Sequence, residues 1–189
     1  MKIIKTLPLV LCGVLPSVAL AHSGHDVSSV LSGLIAGALH PLLGIDHLLT
    51  LLLTGTLTSQ LRGGQRWWVP AIFVGLMALG YFSAHAGIHV VSASSVETLI
   101  SVSLIVGALL LLASQWAKRC LNDSARFSHL SAWLMTGFAA FHGVAHGLEI
   151  PAGTALSGFG VGFLFVSSSL LVVVSLTVPH FGVKRLQSA

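Results

Sequence analysis

The sequence predicts an all-α protein, a polytopic bundle of transmembrane helices with five spans after a cleaved signal peptide. Hydrophobic residues make up 54% of the 189 residues and charged residues only 7%, whereas a soluble domain carries about a quarter charged residues. The apolar residues also lie in runs long enough to cross a bilayer, which takes about 20 residues per helix. So few polar side chains cannot cover a protein in water, and we expect the lipid bilayer to surround it.

The first segment, residues 1–21, has the three parts of a secretory signal peptide. Two lysines precede a short apolar run, and the run ends in an A-x-A cleavage sequence at residues 19–21. The run contains two prolines and is short for a membrane helix, so an uncleaved anchor is the weaker interpretation. Cleavage would leave residues 22–189 as a single transmembrane domain whose N-terminus lies outside the membrane.

Five apolar stretches follow the signal peptide and are the predicted spans: residues 28–57, 67–84, 96–117, 130–148 and 155–178. The first and the last stretch are longer than a bilayer requires, so each is expected to be tilted or broken. A break in the first would lie near Pro41 and Gly44, and a break in the last near residues 158–162.

The basic residues predict the orientation of these spans. With the N-terminus of the mature chain outside, loops 58–66 and 118–129 and the C-terminal tail are cytoplasmic, and they hold every Lys and Arg of the mature chain. The outer loops, residues 85–95 and 149–154, hold none, as the positive-inside rule requires. We therefore expect a bacterial inner-membrane protein with a periplasmic N-terminus and a cytoplasmic C-terminus.

The composition also argues against several classes of function. The basic residues form no stripe and have no interleaved aromatic residues, so nucleic acid is not an expected partner. Only Cys120 would remain after cleavage, which excludes an internal disulfide and disfavours a thiolate metal site. The sequence contains no Walker motif, so we expect no direct use of ATP.

The fourth predicted span carries two histidines and a glutamate within the sequence FHGVAHGLE at residues 141–149. On a helix the positions i, i+4 and i+7 share one face, so His142, His146 and Glu149 are expected to point the same way. Two imidazoles one turn apart can share a divalent cation. The alternative is that these polar groups only form hydrogen bonds with neighbouring helices.

The first predicted span carries His40, Asp46 and His47. Asp46 is the only acidic residue deep inside a predicted span, where a charge costs about 2.5–3.5 kcal/mol and therefore needs a cation, a proton or a hydrogen-bond partner. In a straight helix His40 and His47 would be about 10 Å apart along the axis, too far to bind one ion. A break near Pro41 and Gly44 would bring them closer. The alternative is that Asp46 and His47 alone form a polar pair.

Further imidazoles and carboxylates lie at the predicted outer mouth, and these candidates for metal-ion capture are His22, His25, Asp26, His85 and His89. The alternative for each is a solvated loop residue. Nitrogen and oxygen ligands without a thiolate fit Ni²⁺, Co²⁺ or Zn²⁺, leave Cu²⁺ open, and disfavour Cu(I). The pattern as a whole predicts capture of a divalent metal ion outside and its passage inward.

The two histidine motifs resemble those of the HupE/UreJ family, membrane proteins that are linked to hydrogenase and urease maturation and regarded as nickel or cobalt permeases. The resemblance rests on an H-x5-D-H pattern in the first span and on residues 141–149, and it extends over essentially the whole chain. It implies that Ni²⁺ or Co²⁺ is transported as a substrate, with no permanently bound cofactor. It also implies the metal-binding residues, which are His40, Asp46, His47, His142, His146 and Glu149. One departure is that the last span is apolar, where the family would place more polar residues.

Three functions stay open on the sequence. The first is a permease or facilitated channel for Ni²⁺, rather than an enzyme. The second is an intramembrane zinc-dependent hydrolase in which His142, His146 and Asp46 hold a Zn²⁺ that activates water. The third is a b-type haem protein with histidines from two helices as axial ligands, which leaves the carboxylates unexplained. The transported metal, the driving force and the oligomeric state, a homo-oligomer included, are not decided by the sequence.

Overall fold

The computed structural model describes residues 29–88, 91–120 and 124–181, and these ranges contain helices and no β-strand. The predicted signal peptide therefore lies outside the described residues. The helices of the described ranges are α1 (Val30–Leu43), α2 (Ile45–Thr58), α3 (Gln65–His85), α4 (Ala93–Cys120), α5 (Ser124–Gly137), α6 (Ala139–Leu148) and α7 (Leu156–Phe181).

The first predicted span consists of two helices, α1 and α2, that meet at an angle of 73°. Gly44 separates them in an extended conformation, with φ −75° and ψ 102°. The backbone hydrogen bonds continue around the bend, because the Gly44 amide donates to the His40 carbonyl and the Leu48 amide donates to the Gly44 carbonyl, both at 2.9 Å. The predicted break near Pro41 and Gly44 is confirmed.

The second, third and last predicted spans correspond to α3, α4 and α7. Helix α7 continues without interruption through residues 158–162, so a break there, one of the two alternatives for this long stretch, is wrong. The fourth predicted span corresponds to α5 and α6, which Phe138 separates with φ −79° and ψ −13°. The predicted single helix over residues 130–148 is therefore interrupted just before the motif that carries the histidines.

By length and composition, the described ranges hold three helices that can cross a membrane, at residues 65–85, 93–118 and 156–178. The bent pair of α1 and α2 qualifies as a fourth when it is counted as one span. Helices α5 and α6 have 14 and 10 residues. The chain is thus an all-helical membrane protein, while five crossings and a cleaved signal peptide stay predictions.

Helix α4 shows how the bundle is adapted to lipid. Its buried face includes Ser103 and Ser114, which are at most 1% exposed. Its exposed face carries apolar side chains that are each at least 60% exposed, namely Ile105, Leu109, Leu112 and Trp116. This arrangement reverses that of a soluble amphipathic helix, whose apolar face is turned inward. It is the arrangement that a helix requires when its outer surface contacts acyl chains.

Helices α1 and α7 pack backbone against backbone through glycines on both helices. Gly33 and Gly37 face the main chain of α7, and a Cβ atom at Gly33 would lie 2.5 Å from the Ala155 carbonyl oxygen. Gly158 and Gly162 of α7 face the main chain of α1 in return. Small residues allow this close approach in membrane proteins. The glycines that predicted a break in α7 instead form its contact with α1.

Helices α3 and α6 cross in the same way. Gly143 and Gly147 of α6 face the carbonyl groups of Met77 and Tyr81, and Gly80 of α3 faces the Ala140 carbonyl group of α6. Because each of these α6 glycines directly follows a histidine, the contact with α3 turns the preceding imidazole toward a different neighbour. The glycines therefore position the histidine face of α6.

We predict that Gly80→Ala destabilises the protein by about 1–3 kcal/mol, because the added methyl group would overlap the Ala140 backbone. Gly75→Ala is the matched control on the same helix, since no described atom lies within 4 Å of its Cβ position. Alanine favours the helix over glycine by about 1 kcal/mol, so the control is expected to be neutral or stabilising. Thermal unfolding of both variants in detergent tests this, and equal stability would contradict the contact.

Candidate metal centre

Three histidines from three helices form the centre of the candidate site. His40 of α1, His47 of α2 and His146 of α6 each offer a ring nitrogen, and these three atoms lie within 4.8 Å of one another. His47 and His146 are only 4% and 1% exposed. Metal–nitrogen bonds are about 2.0–2.1 Å long, so small rotations of the rings would bring all three nitrogens onto one ion. We call this group the histidine cluster.

The bend at Gly44 brings the two histidines of the first span together. The ring centroids of His40 and His47 are 5.6 Å apart, although the two residues belong to helices on either side of the break. The ring of His146 lies 5.0 Å from that of His40 and 4.4 Å from that of His47. The predicted convergence of His40 and His47 therefore occurs, and it joins them to α6.

Asp46 acts on the cluster through His47. Its Oδ1 atom accepts a 2.9 Å hydrogen bond from Nδ1 of His47, because a carboxylate oxygen accepts and does not donate. The other nitrogen, Nε2, is buried and has no hydrogen-bond partner within the described ranges. A carboxylate on the remote nitrogen is the usual way in which a protein orients a metal-binding imidazole. We therefore propose that Asp46 orients His47.

The break also explains how Asp46 is tolerated. It lies in the first turn of α2, where the positive end of the helix dipole stabilises a negative charge. Its side chain is 45% exposed, so the carboxylate lies at the surface of the bundle and is not enclosed within it. Without the interruption at Gly44 there would be no helix N-terminus at this depth.

Glu149 lies at the exposed side of the cluster. Its Oε2 atom accepts a 2.9 Å hydrogen bond from Nε2 of His40 and lies 4.0 Å from Nε2 of His47. The side chains of His40 and Glu149 are 25% and 40% exposed, whereas the other two imidazoles are enclosed. The cluster is therefore open toward Glu149 and closed at its inner side.

His142 lies beside the cluster and does not belong to it. Its Nε2 atom is 3.0 Å from the Ser103 hydroxyl of α4, and its ring centroid is 5.6 Å from that of His47. Among the described residues, the group with mutually close ligand atoms contains His146 and not His142. The geometry therefore places His146 in the cluster and His142 next to it, and binding of one ion by both histidines of α6 stays a prediction.

Two phenylalanines of α7 complete the walls, although the sequence suggested no role for this apolar helix. Phe163 stacks on His146 with ring centroids 4.5 Å apart, and Phe159 contacts His40 at 5.5 Å. The two phenylalanines are four residues apart, and each directly follows a glycine that packs on α1. This pattern in the sequence could have indicated that both rings face the interior. Aromatic rings at these positions pack against the imidazoles and limit their movement.

Comparison with known proteins agrees with the motifs that build this cluster. A family model described as HupE / UreJ protein matches residues 9–187. Protein HupE of Rhizobium leguminosarum bv. viciae is 32% identical over 170 residues, a match that covers 89% of this chain and 80% of that relative. The chain belongs to the HupE/UreJ family. No solved structure matches it.

In this HupE/UreJ protein, the one candidate for capture that lies within the described residues is His85, at the end of α3. His85 is exposed at that end, one residue after Ala84, whose Cβ atom would be 2.7 Å from a Cβ atom at Gly147. His85 therefore lies on the same side of the bundle as Glu149. The other candidates for capture, His22, His25, Asp26 and His89, lie outside the described residues, and their role stays a prediction.

The two histidines of α6 are expected to differ in metal binding. We predict that His146→Ala weakens Ni²⁺ binding at least about tenfold, as expected for a lost ligand, and that His142→Ala has a smaller effect. The hydroxyl of Ser103 would keep its 2.7 Å hydrogen bond to the Ile100 carbonyl after His142 is removed. Isothermal titration calorimetry on the purified variants measures both affinities, and equal losses would mean that both imidazoles bind the ion.

We also predict that Asp46→Asn weakens Ni²⁺ binding about 10- to 100-fold, through its contact with Nδ1 of His47. An asparagine oriented with its amide N–H₂ group toward Nδ1 of His47 would place the proton on Nε2, the nitrogen that faces the cluster. The same titration tests this change, with Asp46→Ala as the comparison. Unchanged affinity in both variants would exclude the orienting role.

Proposed function

We propose that this protein is a permease or facilitated channel that carries Ni²⁺ or Co²⁺ inward across the bacterial inner membrane and supplies hydrogenase or urease maturation. The observation that carries the proposal is the histidine cluster, three imidazoles from three helices of a membrane protein, held between two carboxylates. Membership of the HupE/UreJ family and the name of the rhizobial relative support the link to hydrogenase and urease.

The ligand chemistry supports a divalent transition metal ion. Imidazole nitrogen with carboxylate oxygen suits Ni²⁺, Co²⁺ and Zn²⁺, and the absence of a thiolate from the cluster disfavours Cu(I). The negative charges of Asp46 and Glu149 together balance the two positive charges of the ion. Such balance matters in a membrane, where an unpaired charge is costly.

The order of exposure supports entry from the side of Glu149, which we propose faces the periplasm. An ion from that side would first meet Glu149 and His40, and would take the place of the proton that these two side chains share. It would then reach His47 and His146, which are enclosed. Broken helices line the substrate sites of many transporters, where their ends and carbonyl groups face a cavity.

The zinc-dependent hydrolase gains no support from these contacts. Its three proposed ligands were His142, His146 and Asp46, but the nearest partner of Asp46 is Nδ1 of His47 and that of His142 is Ser103. A haem requires room for a large flat ring between two histidines. The imidazole rings of the cluster lie 4.4–5.6 Å apart instead.

We predict that proteoliposomes with the wild-type protein take up radioactive Ni²⁺ and that His47→Ala lowers the rate at least about tenfold. His129→Ala is the matched control, since it removes a histidine of α5 that belongs to no described cluster. Unlabelled Co²⁺ is expected to compete with Ni²⁺. Wild-type vesicles that take up no more metal than empty vesicles, or a protein that retains stoichiometric Zn²⁺ and hydrolyses substrates, would contradict the proposal.

A further inference from the structure

Helix α2 carries a row of hydroxyl groups on the same face as His47. Thr50, Thr54 and Thr58 follow His47 at positions i+3, i+7 and i+11, which share one side of a helix. All three threonines are at most 1% exposed. The row therefore runs inside the bundle, from the histidine cluster toward the end of α2 that we propose to be cytoplasmic.

The hydroxyls of Thr50 and Thr54 lack the hydrogen bond that helical hydroxyls commonly form. Serine and threonine in a helix commonly donate to a carbonyl three or four residues earlier, as Thr56 and Thr136 do here at 2.7 and 2.9 Å. In the described ranges, four buried hydroxyls have no hydrogen-bond partner. Thr154 lies in the loop before α7, and the other three, Thr50, Thr54 and Ser167, lie within helices. A buried group without a partner is costly, and it calls for an explanation such as a ligand.

Ser167 belongs to the same row from the side of α7. Thr58 and Ser175 pair at 2.8 Å where α2 and α7 lie side by side. Ser167 precedes Ser175 by eight residues, and Thr50 precedes Thr58 by eight residues. Gly55 of α2 lies against Leu171 and Val174 of α7, so the two helices run in the same direction. Counting back equally from the pair, Ser167 lies at about the depth of Thr50. Thr50, Thr54 and Ser167 thus occupy the stretch between the cluster and the Thr58–Ser175 pair.

An internal gap connects the cluster with the start of this row. The gap is too narrow for a water molecule, and it is lined by His47, Thr50, Leu51, Phe73, Met77, His142 and His146. The gap is therefore closed in this conformation. Since Thr50 shares it with three histidines, an ion that leaves the imidazoles on this side meets a hydroxyl next.

The row ends at a positive charge. Arg66 of α3 donates a 2.6 Å hydrogen bond to the Ser175 carbonyl oxygen. A guanidinium at this position repels a cation, so the inner end of the row is also closed in this conformation. Passage of an ion requires α2 and α7 to separate here.

We propose that Thr50, Thr54 and Ser167 form the inward half of the metal-ion path. A hydroxyl both donates and accepts hydrogen bonds, so it can hold the water ligands of an ion that has left the imidazoles. Hydroxyls bind Ni²⁺ more weakly than imidazole does. A conducting path needs such weak sites after a strong one, because the ion must be able to leave. This inference rests on the proposed transport function.

The test compares binding and uptake in the double variant Thr50→Val/Thr54→Val, which removes two hydroxyls and keeps the branched shape of the side chains. We expect the uptake of radioactive Ni²⁺ into proteoliposomes to fall at least about tenfold. Ni²⁺ affinity in calorimetry should change less than about twofold, because the histidine cluster is intact. Thr56→Val is the matched control on the same helix, since its hydroxyl bonds to the Leu52 carbonyl, and its uptake should equal that of the wild type.

The outcomes separate the two proposals. A wild-type protein without uptake would overturn the transport function, and this path with it. Uptake by the wild type and by the double variant at the same rate would overturn the path alone. The variant Thr50→Ser/Thr54→Ser restores the hydroxyls without the methyl groups, so its uptake should exceed that of the valine variant. If the serine variant is as impaired as the valine variant, packing of the methyl groups is responsible and the path is wrong.

Discussion

A helix in lipid has to satisfy its backbone hydrogen bonds internally, because no water is present to replace them. The junction of α1 and α2 meets this constraint while it bends by 73°, since the Gly44 amide and carbonyl both keep helical partners. The bend brings His40 beside His47 and creates a helix N-terminus that stabilises Asp46. The candidate metal centre depends on this one interrupted helix, because a straight span would separate its two histidines.

Glycine contacts hold the other parts of the centre against that bend. Helix α7 lies on α1, and α6 lies on α3, at distances that leave no room for a Cβ atom. Phe159 and Phe163 thereby reach the imidazoles of His40 and His146. The hydrophobic effect does not drive helices together in lipid, because the acyl chains are as apolar as the helix surfaces. Close packing of small residues therefore holds the helices in the positions that the site requires.

The distribution of polarity is consistent with transport from end to end. The carboxylate of Glu149 and the imidazole of His40 are accessible at one side, two enclosed imidazoles follow, and unpartnered hydroxyls continue along α2. Ligand strength falls along this order, from carboxylate and imidazole to hydroxyl. On α4 the exposed side chains are largely apolar, whereas the serines Ser103 and Ser114 face the interior of the bundle.

Composition and local rules were enough to predict an all-helical membrane protein, the positions of its apolar stretches, the break near Pro41 and Gly44, and the shared face of His146 and Glu149. These features depend on neighbouring residues, whose geometry the backbone dictates. Only the tertiary structure decided that His146 joins His40 and His47 while His142 turns to Ser103, and that α7 stays unbroken. These outcomes depend on which helices lie side by side, and that is set by contacts between residues far apart in the chain.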